Sequence, residues 1–156
     1  MTDPKYRGIE KQQIPTFQKD GAKIKVIAGK VNGTKGPVQD LAINIEYFDI
    51  ELADGKTFEH ATPKNNTVFA YVVEGSIEIL NRKIMPGQCA VFGEGDIVKI
   101  SSCDHSRFLF ISGEPLNEPV AWRGPIVMNT EEELDKAFEE LESGTFIKSK
   151  IPLNHS

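Results

Sequence analysis

The chain has 156 residues, a net charge of −5, 39% apolar and 26% charged residues. That is enough for one domain whose folding removes roughly 68–70% of its unfolded accessible surface from water, and the balance is that of a globular protein. The MTDPKYRG start lacks an apolar h-region and no run approaches the eighteen apolar residues of a membrane span, so neither secretion nor membrane insertion is expected.

In chain order, residues 1–22 read as a linker-like segment that packs on a barrel formed by residues 23–128, with residues 129–156 as a helix and tail. The first forty residues hold eight Lys/Arg against four Asp/Glu, but scattered. No clustered basic footprint for direct nucleic-acid binding is present. Lys23–Val31 alternates Ile24, Val26 and Ala28 on one face. Asp40–Leu52 alternates Leu41, Ile43, Ile45 and Tyr47, then changes phase to Phe48, Ile50 and Leu52, which predicts a bulge or a change of sheet. Ala53-Asp54-Gly55-Lys56 is a turn. Val68–Val73 and Ser76–Leu80 flank Glu74-Gly75, a tight hairpin corner, and Met85-Pro86-Gly87-Gln88 is another turn.

Cys89–Phe92, Asp96–Ile100 and Arg107–Ile111 follow as further strands, and short strands with glycine-rich corners argue for a β-sandwich or barrel. Gly113–Thr130 places three prolines and two glycines in eighteen residues, breaking the chain into short extended pieces. Thr130 and Glu133 make the S/T-x-x-E pattern of a capping box. The helix they start carries Leu134, Ala137, Phe138 and Leu141 as an apolar stripe and stops at Ser143-Gly144. Residues 131–142 contain seven acids and one lysine, read as a solvated helix face. The last dozen residues read as an extended or loose tail.

The two cysteines, Cys89 and Cys103, make neither a disulfide framework nor a CxxC motif. Cys89 is expected as a small buried hydrophobe. Cys103, beside Asp104, is not expected to be a thiolate. Gly93-Glu94-Gly95-Asp96 carries two acids and precedes a strand, so it is not a phosphate loop. Asn32-Gly33-Thr34, Asn65-Asn66-Thr67 and Asn154-His155-Ser156 match glycosylation sequons but read as turns and tail. Asp49, Glu51 and Glu59 are acids near strands, with nothing to mark a catalytic pair. His60 is read first as a strand-end or solvent-facing residue and second as an interior pocket residue; His105 is expected in an exposed polar turn.

Several stretches resemble a known family. GEPLNEP…GPIVMNT, within Gly113–Thr130, is similar to the C-terminal part of pirins, two-barrel members of the cupin superfamily. Lys5-Tyr6-Arg7-Gly8-Ile9 with Ile14-Pro15 resembles the linker into the second pirin barrel, and Val26–Gly33, Tyr71–Gly75 and Val91–Asp96 resemble strands and turns of that barrel. The resemblance implies a mainly β chain: a single cupin-type β-barrel or jelly roll with one C-terminal helix. It covers only the second half of a pirin, so the metal-bearing first barrel is expected to be absent.

Metal cupins carry G(x)5HxH(x)3–4E(x)6G, whose three histidines (one from a second motif) and glutamate hold a divalent ion. With the closing glycine set on Gly75, Val68 takes the glutamate position, and the HxH pair falls on Thr62 and Lys64 or on Ala61 and Pro63. Residues 87–99, which should carry the second motif, contain no histidine. No bound metal and no other cofactor is expected.

The favoured function is therefore a metal-free pirin C-terminal cupin acting as a scaffold or protein-interaction module. Animal pirins are nuclear proteins that assist transcription factors, so the resemblance implies transcription-related regulation, in the cytoplasm or nucleus. The partner would be a metal-bearing pirin-type barrel, a transcription-related protein, or a second copy in a homodimer. One alternative is half of a split pirin, with quercetin 2,3-dioxygenase-like activity when a metal-bearing cupin is supplied in trans. Another is a small-molecule-binding barrel, with His60 and Tyr71 as pocket candidates and Phe69, Tyr71 and Phe108 or Phe110 lining or plugging the interior.

Overall fold

The computed structural model describes residues 6–148; His155, the third sequon and most of the expected tail lie outside them. The chain divides into two compact units, one ending at Pro115 and the other beginning at Leu116.

The first unit is built from strands β1 (Thr16–Lys19), β2 (Ala22–Ala28), β3 (Lys30–Val31), β4 (Thr34–Lys35), β5 (Ile45–Leu52), β6 (Thr57–Ala61), β7 (Thr67–Glu74), β8 (Ile77–Ile79), β9 (Arg82–Ile84), β10 (Cys89–Val91), β11 (Ile97–Ser102) and β12 (Ser106–Gly113). A six-stranded antiparallel sheet runs β1-β2-β5-β12-β7-β10, and a four-stranded one runs β6-β11-β8-β9. Both contribute to one apolar core: Ile24, Val26, Phe48, Ile50, Val72, Phe108 and Phe110 from the larger sheet, and Phe58, Ile77, Val98 and Ile100 from the smaller. Two sheets closing on a shared interior make the jelly roll that the family resemblance implied.

Local chemistry sets the corners. Asp20-Gly21, Asn32-Gly33 and Leu80-Asn81 have positive φ at both residues, the conformation of the two-residue turn whose twist suits a hairpin. The bulge or change of sheet expected within Asp40–Leu52 does not form in β5, which pairs with β12 from Ile45 to Leu52 without a shift; the irregularity lies in β2. Ile27 is the extra residue where the β2–β5 register shifts between Val26 and Ala28, opposite Tyr47 and Phe48. Leu41 and Ile43 precede β5 rather than forming part of it.

The second unit contains β13 (Ala121–Arg123), β14 (Ile126–Met128) and α1 (Glu131–Glu142). The hairpin puts Ala121 and Ile126 against Leu134 and Ala137, with Met128 and Phe138 at the margin. The capping box forms as expected: Thr130 Oγ1 accepts from the Glu133 amide at 3.2 Å, and the Glu133 carboxylate accepts from the Thr130 amide at 3.1 Å. Arg123 ties the hairpin to the helix through Glu131 and Asp135, and Glu131, Glu132 and Glu133 in the first turn meet the positive end of the helix dipole.

The expected boundaries shift in two places. Residues 16–19 are a sheet strand rather than linker, because Phe17 packs on the core while β1 pairs with β2. Residues 121–128 group with the helix rather than with the barrel strands, because their apolar face meets Leu134 and Ala137. The helical stripe is also narrower than predicted, since Leu141 is exposed. Among the described residues no helix is long and apolar enough to cross a membrane.

Candidate functional site

His60 lies on β6 two residues beyond the buried Phe58, so alternation along the strand turns both toward the interior. Its ring sits edge-on to Phe48 and Phe110, with centroids 5.3 and 5.4 Å away, and stacks on Phe58 at 5.9 Å. The strand-end or solvent-facing reading of His60 is therefore corrected. Its Nε2 meets Glu46 Oε1 at 3.0 Å, with both side chains mostly buried. Glu46 is in phase with Phe48, Ile50 and Leu52 on β5, which is why a carboxylate points inward. Its second oxygen, Oε2, is buried without a hydrogen-bond partner.

Sequence reasoning passed over Glu46. The signal was available, because counting back by twos from Leu52 through Ile50 and Phe48 reaches it.

The degenerate metal positions lie apart in the fold, Thr62 and Lys64 in the loop between β6 and β7 and Val68 on β7. Val68 is buried in the core. Thr62 is also buried, and its amide donates to the Asp96 carbonyl at 2.9 Å. Lys64 is exposed. Tyr71 is not an interior residue: Val68, Ala70 and Val72 fill the inward phase of β7, leaving Phe69 half-buried and Tyr71 40% exposed on the other side. Phe108 and Phe110 do fill the interior and are fully buried. Cys89 is exposed, contrary to expectation, because it starts a three-residue edge strand. Cys103 is exposed as well, and His105 sits in an exposed turn.

The remaining strand acids are held by cations. Arg107 donates to both oxygens of Asp49 at 2.8 Å, and Lys25 adds a bond at 3.1 Å. Burial alone would raise the Asp49 pKa, but the bonds and charges of Arg107 and Lys25 outweigh it and hold the carboxyl below its ordinary value. Hydrogen bonding from Lys23, aided by Lys25 and opposed by burial, lowers Glu51 in the same way. Glu59 pairs with Lys99 on the surface. None of the three is a free acid.

A cupin metal centre needs several imidazole and carboxylate donors converging on one point. The interior here offers one of each, and the facing atoms of that pair are bonded to each other. Around them stand Phe48, Phe58 and Phe110. Among the described residues no group of three or more His, Cys, Asp or Glu stands close enough to share an ion. The residues present do not fit such a metal.

Beside this pair lies an open cleft of about 380 Å³, lined by the β2–β3 corner, β4, the segment leading into β5, Glu46, Pro63 and Asn66. Asn66 is fixed at its edge by donating to the buried Ser112 hydroxyl at 2.8 Å.

Comparison with known proteins agrees with this architecture. The family described as the pirin C-terminal cupin domain matches residues 47–147. The Thermoplasma acidophilum protein Ta0133, which carries a provisional quercetin 2,3-dioxygenase name, is 38% identical over 98% of this chain and 62% of its own length. Human pirin is 38% identical over 88% of this chain and 49% of its own. A crystal structure of quercetin 2,3-dioxygenase from Acinetobacter baumannii superposes with a TM-score of 0.84 at 29% identity, covering 91% of this chain and 50% of that one. The chain thus spans about half to three-fifths of the length of these relatives. It belongs to the pirin family, and it matches that family's C-terminal cupin domain.

Proposed function

We infer that this pirin-type cupin works as a metal-free protein-interaction module. The observation that carries the reading is an apolar ladder on the outer face of the larger sheet. Val91, Phe69, Ile111 and Tyr47 stand in register across β10, β7, β12 and β5, and Cys89, Tyr71 and Leu109 form a parallel row beside them. Tyr71 and Val91 are 40% and 72% exposed. Tyr47, Phe69, Leu109 and Ile111 are partly exposed beside them, and apolar surface that solvent reaches in a continuous row marks interaction sites. That the chain spans only about half to three-fifths of its relatives' length supports a second cupin barrel as the partner, either another copy of this chain or a metal-bearing one.

Light scattering tests this directly. The wild-type chain should dimerise with rising concentration, and Tyr71→Glu with Val91→Glu should stay monomeric. A wild-type chain that remains monomeric at sub-millimolar concentration, and that captures no metal-bearing cupin, refutes the reading. Service in transcription-related regulation, in cytoplasm or nucleus, belongs to the same proposal and is tested by recovery of a transcription protein on the wild-type chain but not on the double variant.

The structural likeness to a protein named quercetin 2,3-dioxygenase favours a second reading, in which this barrel walls the site of a metal-bearing cupin in trans. Mixing this chain with such a cupin should then raise turnover of quercetin; unchanged turnover removes that reading.

A further inference from the structure

The cleft beside the Glu46–His60 pair has two features that the interaction reading leaves unused. One is the buried Glu46 Oε2 with no partner. Native structures rarely leave a buried polar atom unmet, so such an atom points to a missing donor. The other is the two-stranded ribbon β3–β4, which sets Lys30 directly opposite Lys35. Like charges in facing ladder positions repel. Both lysines line the cleft, and among the described residues neither makes an ion pair.

Between these features the lining mixes apolar Val38, Leu41 and Ile43 with polar Gln39, Asp40 and Asn44. Leu41 is 44% exposed, which suits a surface that a ligand covers. The cleft volume of about 380 Å³ falls within the roughly 300–1,000 Å³ of small-molecule sites.

We propose that this cleft binds a small organic acid with an apolar body and a hydroxyl or ammonium donor. The donor satisfies Glu46, the carboxylate lies with Lys30 and Lys35, and the body covers Val38, Leu41 and Ile43. The surrounding residues follow from this assignment. His60 holds Glu46 Oε1, leaving the other oxygen for the ligand. The carboxylate relieves the repulsion between the two lysines, and an analogue lacking either polar end loses one of the two anchors. This site is separate from the outer sheet face, so its failure leaves the interaction reading standing.

The test uses the full chain labelled with nitrogen-15 and three probes: 4-hydroxybenzoate, benzoate and 4-hydroxybenzyl alcohol. The first should shift the amides of Gly29, Lys35, Asn44 and Glu46 saturably. Benzoate lacks the donor and the alcohol lacks the carboxylate, so each should bind at least about tenfold more weakly. Lys30→Ser with Lys35→Ser, on a short surface ribbon, should weaken 4-hydroxybenzoate by about tenfold while leaving the spectrum folded. Glu46→Met should abolish the preference for the hydroxyl. No shift at the cleft amides would mean that no ligand donor reaches Glu46, and it overturns the proposal. Equal shifts with all three probes, or binding indifferent to the lysine changes, overturns it too.

Discussion

Replacing His60 tests whether the histidine is an interior packing group bound to one carboxylate. His60→Ala removes a ring held between Phe48, Phe58 and Phe110 at 5.3–5.9 Å. Truncating a buried aromatic ring to alanine costs about 3–5 kcal/mol, and the smaller imidazole belongs at the low end of that range. The change also strands the Glu46 carboxylate, which already has one unmet oxygen, and an unsatisfied buried acceptor adds about 1–3 kcal/mol. The total is about 4–6 kcal/mol. At a urea slope of about 2 kcal/mol per molar, the unfolding midpoint falls by about 2–3 M. His60→Phe keeps the ring and loses only the bond, so it should cost about 1–2 kcal/mol. Adding Glu46→Met to His60→Phe removes both partners together and should return stability to within about 1 kcal/mol of wild type. Urea titrations followed by fluorescence give all three values. A loss below about 1 kcal/mol for His60→Ala would show that the ring is not packed inside. A double variant no more stable than His60→Phe would show that Glu46 is not its partner.

Three further outcomes follow from particular contacts. Gly75 has φ of 66°, and a Cβ there would lie 2.2 Å from the His105 carbonyl oxygen; Gly75→Ala should therefore cost roughly 2–4 kcal/mol, and a thermal midpoint equal to wild type would contradict this corner. Asp49 has its folded pKa below the unfolded value of about 3.9, so its stabilisation is complete above that value and is lost as pH falls through the folded pKa. Urea midpoints should be level above about pH 5 and drop below about pH 4, with a shallower acid limb in Asp49→Asn; an identical limb in the variant would assign the acid loss elsewhere. Thr130→Ala removes the cap on α1 and should destabilise the helix by about 1 kcal/mol, read as faster amide exchange at Glu133; unchanged exchange would rule the cap out as a stabilising contact.

What was legible in the sequence followed from local rules. The apolar pattern that changes phase between Tyr47 and Phe48 marks a strand with apolar residues on both faces, Phe48, Ile50 and Leu52 inward and Tyr47 outward, and not a bulge in β5, which pairs with β12 without a shift. Thr130 and Glu133 declared a helix start because capping is a matter of three residues. Tyr71 was misplaced for an equally physical reason: Val68-Phe69-Ala70-Tyr71-Val72-Val73 is apolar on both faces, so period two does not say which side is inside. The outer ladder of Val91, Phe69, Ile111 and Tyr47 is built from four strands and appears only when their register is known. The contact of His60 with Glu46 likewise joins β6 to β5 across the interior, beyond any spacing rule. That the metal positions are degenerate was plain from Thr62, Lys64 and Val68; that a carboxylate nevertheless reaches the interior was not.

The claim on which the rest depends is that this interior does not hold a divalent ion. Elemental analysis of the full chain, purified from cultures supplied with iron, nickel and zinc and then dialysed, tests it most directly. The metal content should be far below one ion per chain and the same in wild type and His60→Ala. Close to one ion per chain in the wild type, lost in His60→Ala or Glu46→Met, would contradict it.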